Sequence, residues 1–260
     1  MKAVILAGGR GTRISEESVL RPKPMISIGG IPILRHIMQI YLEHGVNEFI
    51  ICLGYKGYVI KEYFSNYLLH TANVVEIDLG KKITSLQHLS NTPIKVTLIE
   101  TGENTQTGGR IKKILPFVCT DPFFYLTYGD GVGNIDITNL TKHHLRHNKL
   151  ATVTSVAPPS RFGNLSIEND LVTNFEEKPL DSSHRINGGF FVLSPDISNY
   201  IDGNETVWEQ EPLRQLTHEK QLTSFEHNGF WQPMDTMRDK TLLEDLWRSG
   251  DSPWWNVNRP

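Results

Sequence analysis

The stretch LAGGRGTRIS, Leu6 to Ser15, follows a short apolar run and places Gly8, Gly9, Arg10, Gly11 and Arg13 on one turn. Such a turn adds little to a core. Glycine lets backbone N–H groups approach a ligand without Cβ obstruction, and successive N–H groups form a nest that holds anions. Arg13 adds a planar fork suited to phosphate oxygens. About ten residues further on, Arg21-Pro22-Lys23-Pro24 sets one ammonium on a stiff segment, since proline fixes φ. Asp130 lies between Gly129 and Gly131 after the apolar run FFYLTYG. A carboxylate at the carboxyl end of a central strand faces the ligand crevice of an open sheet. These residues suit phosphate-ester chemistry, with cations and amides to hold charge and a carboxylate fit for a hard cation.

Three phosphate-loop patterns compete for the opening turn. The dinucleotide fingerprint G-x-G-x-x-G finds Gly9 and Gly11, but Ile14 stands where the third glycine belongs. No acidic residue clearly ends the next strand in the ribose position, which disfavours an NAD-dependent dehydrogenase. The P-loop needs a lysine after its last glycine, and none follows Gly11. A strand followed by G-G-x-G-T-R and then a Lys-Pro pair fits throughout. In this the chain resembles the sugar-nucleotide pyrophosphorylases, nucleotidyltransferases of the sugar-1-phosphate class. RPKPM, GYKGYVIKEYF, TGGR, YGDGV, INGGFFVL, WEQEPL and GFWQPMDT follow in order over nearly the whole chain. Together they resemble the glucose-1-phosphate cytidylyltransferase family.

That resemblance implies transfer of CMP from CTP to α-D-glucose 1-phosphate, giving CDP-glucose and pyrophosphate, with Mg2+ as cofactor. By position, Leu6, Ala7, Gly8, Gly9, Arg10, Gly11, Thr12, Arg13, Lys23, Thr105, Arg110 and Gly129 would bind the nucleotide. Lys23, Arg13 and Asp130 would act in catalysis. Asp130 and Asp235 would hold the metal; without the resemblance, Asp235 reads equally well as a helix N-cap. Gly163, Glu177, Lys178, Asn187 and Gly188 would receive the sugar phosphate. Trp208 and Trp231 read either as sugar-packing rings or as core. A homo-oligomer is implied, with a hexamer as the candidate assembly. The residues alone do not select cytosine, because base choice rests on a few directed hydrogen bonds. Thymidylyl or uridylyl transfer to the same sugar phosphate is the alternative. Arg10 stands where a less polar residue is common in the family. A catalytically silent, nucleotide-sensing subunit is disfavoured by the presence of Lys23 and Asp130.

Elements at regular intervals must position these groups. Lys2–Ala7 reads as a buried parallel strand. Pro32 opens a helix that Gly45 stops. NEFIICLG is the second strand, residues 57–69 a helix, IKVTLIETG a strand, TGGRIKKILPFV a helix and FFYLTYGDG a strand. The order βαβαβαβ predicts a doubly wound, mostly parallel Rossmann-like α/β sheet with helices on both faces. In the second half, strands are expected at ATVTSV, NLSIEND with LVTNF, and GGFFVLS, with helices near Glu209–Glu219 and Thr236–Arg248. The expected organisation is one nucleotidyltransferase domain, with residues 1–135 for the nucleotide and a smaller, β-rich 136–260 for the sugar and oligomer contacts. Residues 78–93 are a loop or small hairpin.

The 260 residues are 38% hydrophobic and 21% charged, enough for a core without disulfides. The net charge of −3 gives no sign of a nucleic-acid partner or an anionic membrane surface. Cys52 lies in an apolar run and Cys119 after a helix, so both read as reduced thiols. The apolar stretch before Gly8 is too short for a signal segment or a membrane span, so a cytoplasmic protein is expected. His143, His144 and His147 read as a solvated helix face rather than a zinc site. Trp247, Trp254 and Trp255 read as an oligomer contact or as cover for the chain's own core.

Overall fold

A computed structural model describes residues 1–81, 83–87, 93–158, 164–168, 171–176 and 184–255. Its main sheet is built from β1 (Lys2–Leu6), β2 (Glu48–Leu53), β3 (Lys95–Glu100), β4 (Phe124–Tyr128), β5 (Ala151–Val156), β6 (Ile186–Asn187), β7 (Phe191–Leu193) and β8 (Leu222–His227). β1 pairs parallel to β2 on one side and to β4 on the other, and β2 pairs parallel to β3. β7 then joins antiparallel to both β4 and β5. β5 also pairs with β6 and, in parallel, with β8.

β1 shows why the sheet is covered twice. Ala3, Ile5 and Ala7 enter one core with Ile33, Ile37 and Tyr41 of α1 (Ile33–Leu42). Val4 and Leu6 enter the other, with Ile111 and Ile114 of α3 (Thr107–Ile114). A strand buried on both faces needs the continuous apolar run that KAVIL supplies. Each Ile or Leu buried this way stabilises the fold by roughly 1.5–3 kcal/mol. α1 ends as expected, with Gly45 at φ 78°.

Between α1 and α3 lies α2 (Gly57–Ser65); a separate short helix, Tyr67–Thr71, follows it, because Asn66 breaks the expected 57–69 helix. Within 78–93, Ile83–Gln87 pairs antiparallel with Val74–Asp78, a small hairpin. α4 (Ile137–His147) carries the three histidines, and its face is not wholly solvated. His144 is buried, and its Nδ1 lies 2.9 Å from Thr152 Oγ1. Its burial lowers the ring pKa to about 4. Among the described residues no group of three His, Cys, Asp or Glu could hold a metal ion.

α5 (Glu211–His218) begins two residues later than expected. α6 (Met237–Arg248) begins after Thr236, which caps it in a reciprocal box with Asp239. Trp254 is buried in the chain's own core, and Trp247 and Trp255 pack edge-on against His36. Trp208 is also fully buried, against Phe191, so it is core and not a sugar platform. Cys52 is buried, its thiol pushed up to about 12 by burial, and Cys119 is exposed. No helix among the described residues is long and apolar enough to cross a membrane.

Candidate active site

β1 sits between β2 and β4, so the chain reverses its direction of travel across the sheet there. Ligand crevices of open α/β sheets lie at such switch points, outside the carboxyl ends of the strands. Leu6 and Tyr128, the last residues of β1 and β4, are register partners. The glycine loop and Asp130 therefore leave the sheet side by side. A cleft of about 340 Å³ lies over them, lined by Leu6, Ala7, Gly8, Gly9, Gly11, Thr12, Arg13, Lys23, Thr105, Arg110, Gly129 and Asp130 among others. Arg10 does not line it. Its exposed guanidinium bonds Glu103 and Asn104 across the loop.

Local geometry explains several residue choices. Gly11 has φ 62°, a left-handed conformation that side chains resist. A Cβ on Gly129 would lie 2.9 Å from the Leu6 carbonyl oxygen and from Pro24 Cγ, so only glycine passes between them. Pro22 and Pro24 bracket a short turn over Lys23–Met25, closed by Met25 N–H to Pro22 O at 2.8 Å. The turn buries the stem of Lys23 and aims its ammonium into the cleft.

Lys23 Nζ lies 2.6 Å from Asp130 Oδ2 and 2.6 Å from Asp235 Oδ1, with its side chain only 9% exposed. Arg13 Nη1 donates to Asp235 Oδ2, also at 2.6 Å. The two carboxylates come from distant segments, brought together by a short ladder. Gly131–Gly133 pairs antiparallel with Trp231–Pro233, and Met234 N–H donates to Asp130 O at 2.8 Å. Asp235 is not the helix cap. Thr236 takes that task, and Asp239 Oδ2 fixes the Asp235 N–H at 3.1 Å. The Asp235 side chain is left for Lys23 and Arg13.

Arg110 is buried and spends its guanidinium on the protein. It donates to Leu53 O, Thr101 Oγ1, Gly8 O and Glu103 O. Burial pulls its pKa below the ordinary value. It shapes the glycine loop from beneath: a Cβ on Gly8 would come within 2.0 Å of Arg110 Nη1. Thr105 lines the cleft, with its hydroxyl near Lys113 Nζ at 3.3 Å.

A second cleft of about 650 Å³ adjoins the first and is lined by both Asp130 and Asp235. Arg13, Tyr128 and Asp130 line both clefts. Asn187, Glu209, Trp231 and Asp235 line the second. Gly188 is buried and does not line this cleft; its carbonyl accepts from Trp231 Nε1–H at 2.8 Å. Gly163, Glu177 and Lys178 lie outside the described residues.

Two residues here carry no sequence assignment, Tyr128 and Glu209. Tyr128 Oη donates to Glu209 Oε1 at 2.7 Å, and Thr107 Oγ1 donates to Glu209 Oε2 at 2.6 Å. Asn187 Nδ2 donates to Tyr128 Oη at 3.2 Å. Burial first, and then the Glu209 charge, raise the Tyr128 pKa well above its ordinary value. The only sequence signal for Glu209 is its place in WEQEPL, where the periodicity absorbs it into a helix.

A family model for nucleotidyl transferases matches residues 2–239. The chain is 52% identical over 254 residues to a glucose-1-phosphate cytidylyltransferase of Salmonella typhi, covering 98% of each chain. It is 30% identical to a mannose-1-phosphate guanyltransferase of Yarrowia lipolytica, over 94% of this chain and 62% of that one. Among solved structures, a UDP-glucose pyrophosphorylase complexed with UDP-glucose superposes with TM-score 0.68 at 16% identity, covering 96% and 98% of the two chains. HddC from Yersinia pseudotuberculosis, complexed with GMP-PN, gives 0.68 at 24%, covering 95% and 99%. These structural likenesses bear on the fold.

Proposed function

The chain belongs to the nucleotidyl transferase family, and from that premise we propose that it transfers CMP from CTP to α-D-glucose 1-phosphate, releasing pyrophosphate and giving CDP-glucose. The observation that carries the reading is the cluster of Lys23, Asp130 and Asp235 at the junction of two clefts. It occurs in a chain 52% identical, end to end, to a glucose-1-phosphate cytidylyltransferase. CTP takes the smaller cleft and the sugar phosphate the larger.

A phosphate oxygen of glucose 1-phosphate attacks the α-phosphorus of CTP. The bond from that phosphorus to the bridging oxygen breaks, and pyrophosphate leaves with the electron pair. The nucleophile is already an anion, so the protein's part is positioning and charge stabilisation. The amides of Gly8, Gly9 and Gly11, with Arg13, hold the leaving phosphates. Lys23 offsets charge on the group in transfer. Asn187 orients the sugar, and Lys178 with Glu177 completes its binding. Residues 1–135 form the nucleotide half of one domain and 136–260 the sugar half.

Asp130 and Asp235 fit a magnesium ion. Both carboxylates already reach one cation, the Lys23 ammonium, at 2.6 Å. Magnesium takes one or two carboxylates together with phosphate oxygens and water. When bound, it supplies charge neutralisation at the phosphates. We further propose a cytoplasmic homo-oligomer.

The test is purified protein with glucose 1-phosphate, Mg2+ and CTP, UTP, dTTP, GTP or ATP in turn, read by pyrophosphate release. Release with CTP well above the others supports the reading. Equal or greater release with dTTP or UTP overturns the base assignment, and no release with any of them overturns the activity.

A further inference from the structure

Glu209 is the carboxylate of the second cleft that the proposed reaction leaves without a task. It is half-buried, one residue after the fully buried Trp208 and two before α5. Each of its oxygens accepts from a different hydroxyl: Tyr128 at the end of β4, and Thr107 at the start of α3.

An ionised carboxylate is an acceptor only, and a hydroxyl has one proton to give. The Tyr128 proton is committed to Glu209, so Tyr128 Oη faces Asn187 as an acceptor. Asn187 must then present its NH2 to Tyr128 at 3.2 Å and its carbonyl to the Gly189 N–H at 2.8 Å. On the other branch, Thr107 gives its proton to Glu209 and accepts from Trp208 N–H at 2.9 Å. The direction of every bond in the chain follows from the carboxylate at its centre. One branch ends in the larger cleft. The other ends on the helix that carries Arg110 to the glycine loop.

We propose that Glu209 is a positioning residue, which sets the Tyr128 hydroxyl and the Asn187 amide for the sugar phosphate and is itself held in place by the Thr107 hydroxyl. This rests on the reading that the larger cleft receives the sugar phosphate. Glutamine at this position is nearly isosteric but replaces one acceptor by a donor. Turned toward Tyr128, its NH2 would face a hydroxyl that Asn187 already donates to. Turned toward Thr107, it would compete with Trp208 N–H. Either way one hydroxyl proton loses its partner.

The experiment is steady-state kinetics on the full chain, wild type first. Wild-type turnover of CTP and glucose 1-phosphate establishes the underlying reading, and its absence refutes that reading before any variant is made. In Glu209→Gln the KM for glucose 1-phosphate should rise about tenfold, the scale of one net hydrogen bond. The KM for CTP should stay within about twofold. Tyr128→Phe should give a similar split. The double variant should be no worse than the more affected single one, because both break the same chain. A sugar-phosphate KM within about twofold of wild type in Glu209→Gln would overturn the proposal. So would fully multiplicative effects in the double variant, or equal rises in both KM values. If Glu209→Gln does not fold, Tyr128→Phe decides by the same KM split.

Discussion

Replacing Lys23 by methionine keeps an unbranched side chain only one atom shorter and removes its charge. Because Nζ lies 2.6 Å from Asp130 and from Asp235, the change acts on two carboxylates at once, and its consequences have opposite signs. In turnover the variant lacks one preorganised group against the transferring phosphoryl, which costs about 2.7–4 kcal/mol, or roughly a hundredfold to a thousandfold in kcat. In the nucleotide-free protein the same carboxylates lose the cation that holds them. A charge pair at about 4 Å interacts by about 4 kcal/mol at an effective dielectric of about 20. The Asp130 side chain is 30% exposed, so water screens much of that, and about 1.4 kcal/mol is the expected residue, a factor of about ten. Lys23→Met should therefore bind Mn2+, a paramagnetic stand-in for Mg2+, about tenfold more tightly without nucleotide. The assays are pyrophosphate release at saturating substrates and titration of free Mn2+ by electron paramagnetic resonance. Circular dichroism confirms that the variant is folded. Near-normal kcat, or Mn2+ binding no tighter than in wild type, refutes the reasoning for that group.

Gly8→Ala sets a methyl within 2.0 Å of Arg110 Nη1, and Arg110 can withdraw only by giving up its carbonyl partners; a loss of about 1–3 kcal/mol is expected in urea unfolding, and an unchanged midpoint would contradict it. His36 is buried with its pKa lowered from 6.5 to about 4, chiefly by burial. Between those values the unfolded chain holds a proton that the folded chain does not, so stability rises with pH across that window, is fully present above 6.5 and is lost on acidification. The contribution is about 3 kcal/mol, and the slope should flatten in His36→Gln; an identical slope in that variant counts against it. Thr236→Ala removes the cap of α6 and half of its reciprocal box with Asp239, which should cost about 1 kcal/mol; thermal unfolding at wild-type temperature would show that the cap contributes nothing.

The glycine loop, the prolines around Lys23 and the first strands are local features, and the residues alone announce them. A strand buried on both faces must be apolar throughout, and a turn built to hold anions must be poor in side chains. For that reason Lys2–Leu6, Glu48–Leu53, Lys95–Glu100 and Phe124–Tyr128 stand where the pattern of residues places them. Helix limits were less legible. The 57–69 helix breaks at Asn66, and the helix expected from Glu209 begins only at Glu211. Periodicity marks which face of a segment is buried and says little about its last turn. Trp208 was ambiguous for a related reason: a large ring serves a core and a sugar site equally well, and only its packing against Phe191 decides.

A phosphate-holding turn, a stiffly held lysine and a carboxylate at a strand end each depend on residues adjacent in the chain, so the kinds of groups available can be read from the residues. Which of them meet is a matter of the folded chain. Lys23 reaches Asp130 across 107 positions and Asp235 across 212, through pairing of Gly131–Gly133 with Trp231–Pro233. Glu209 joins Thr107 to Tyr128 in the same way, from more than 80 positions distant on either count. Contacts of that range are set by strand order and register, which no local pattern encodes.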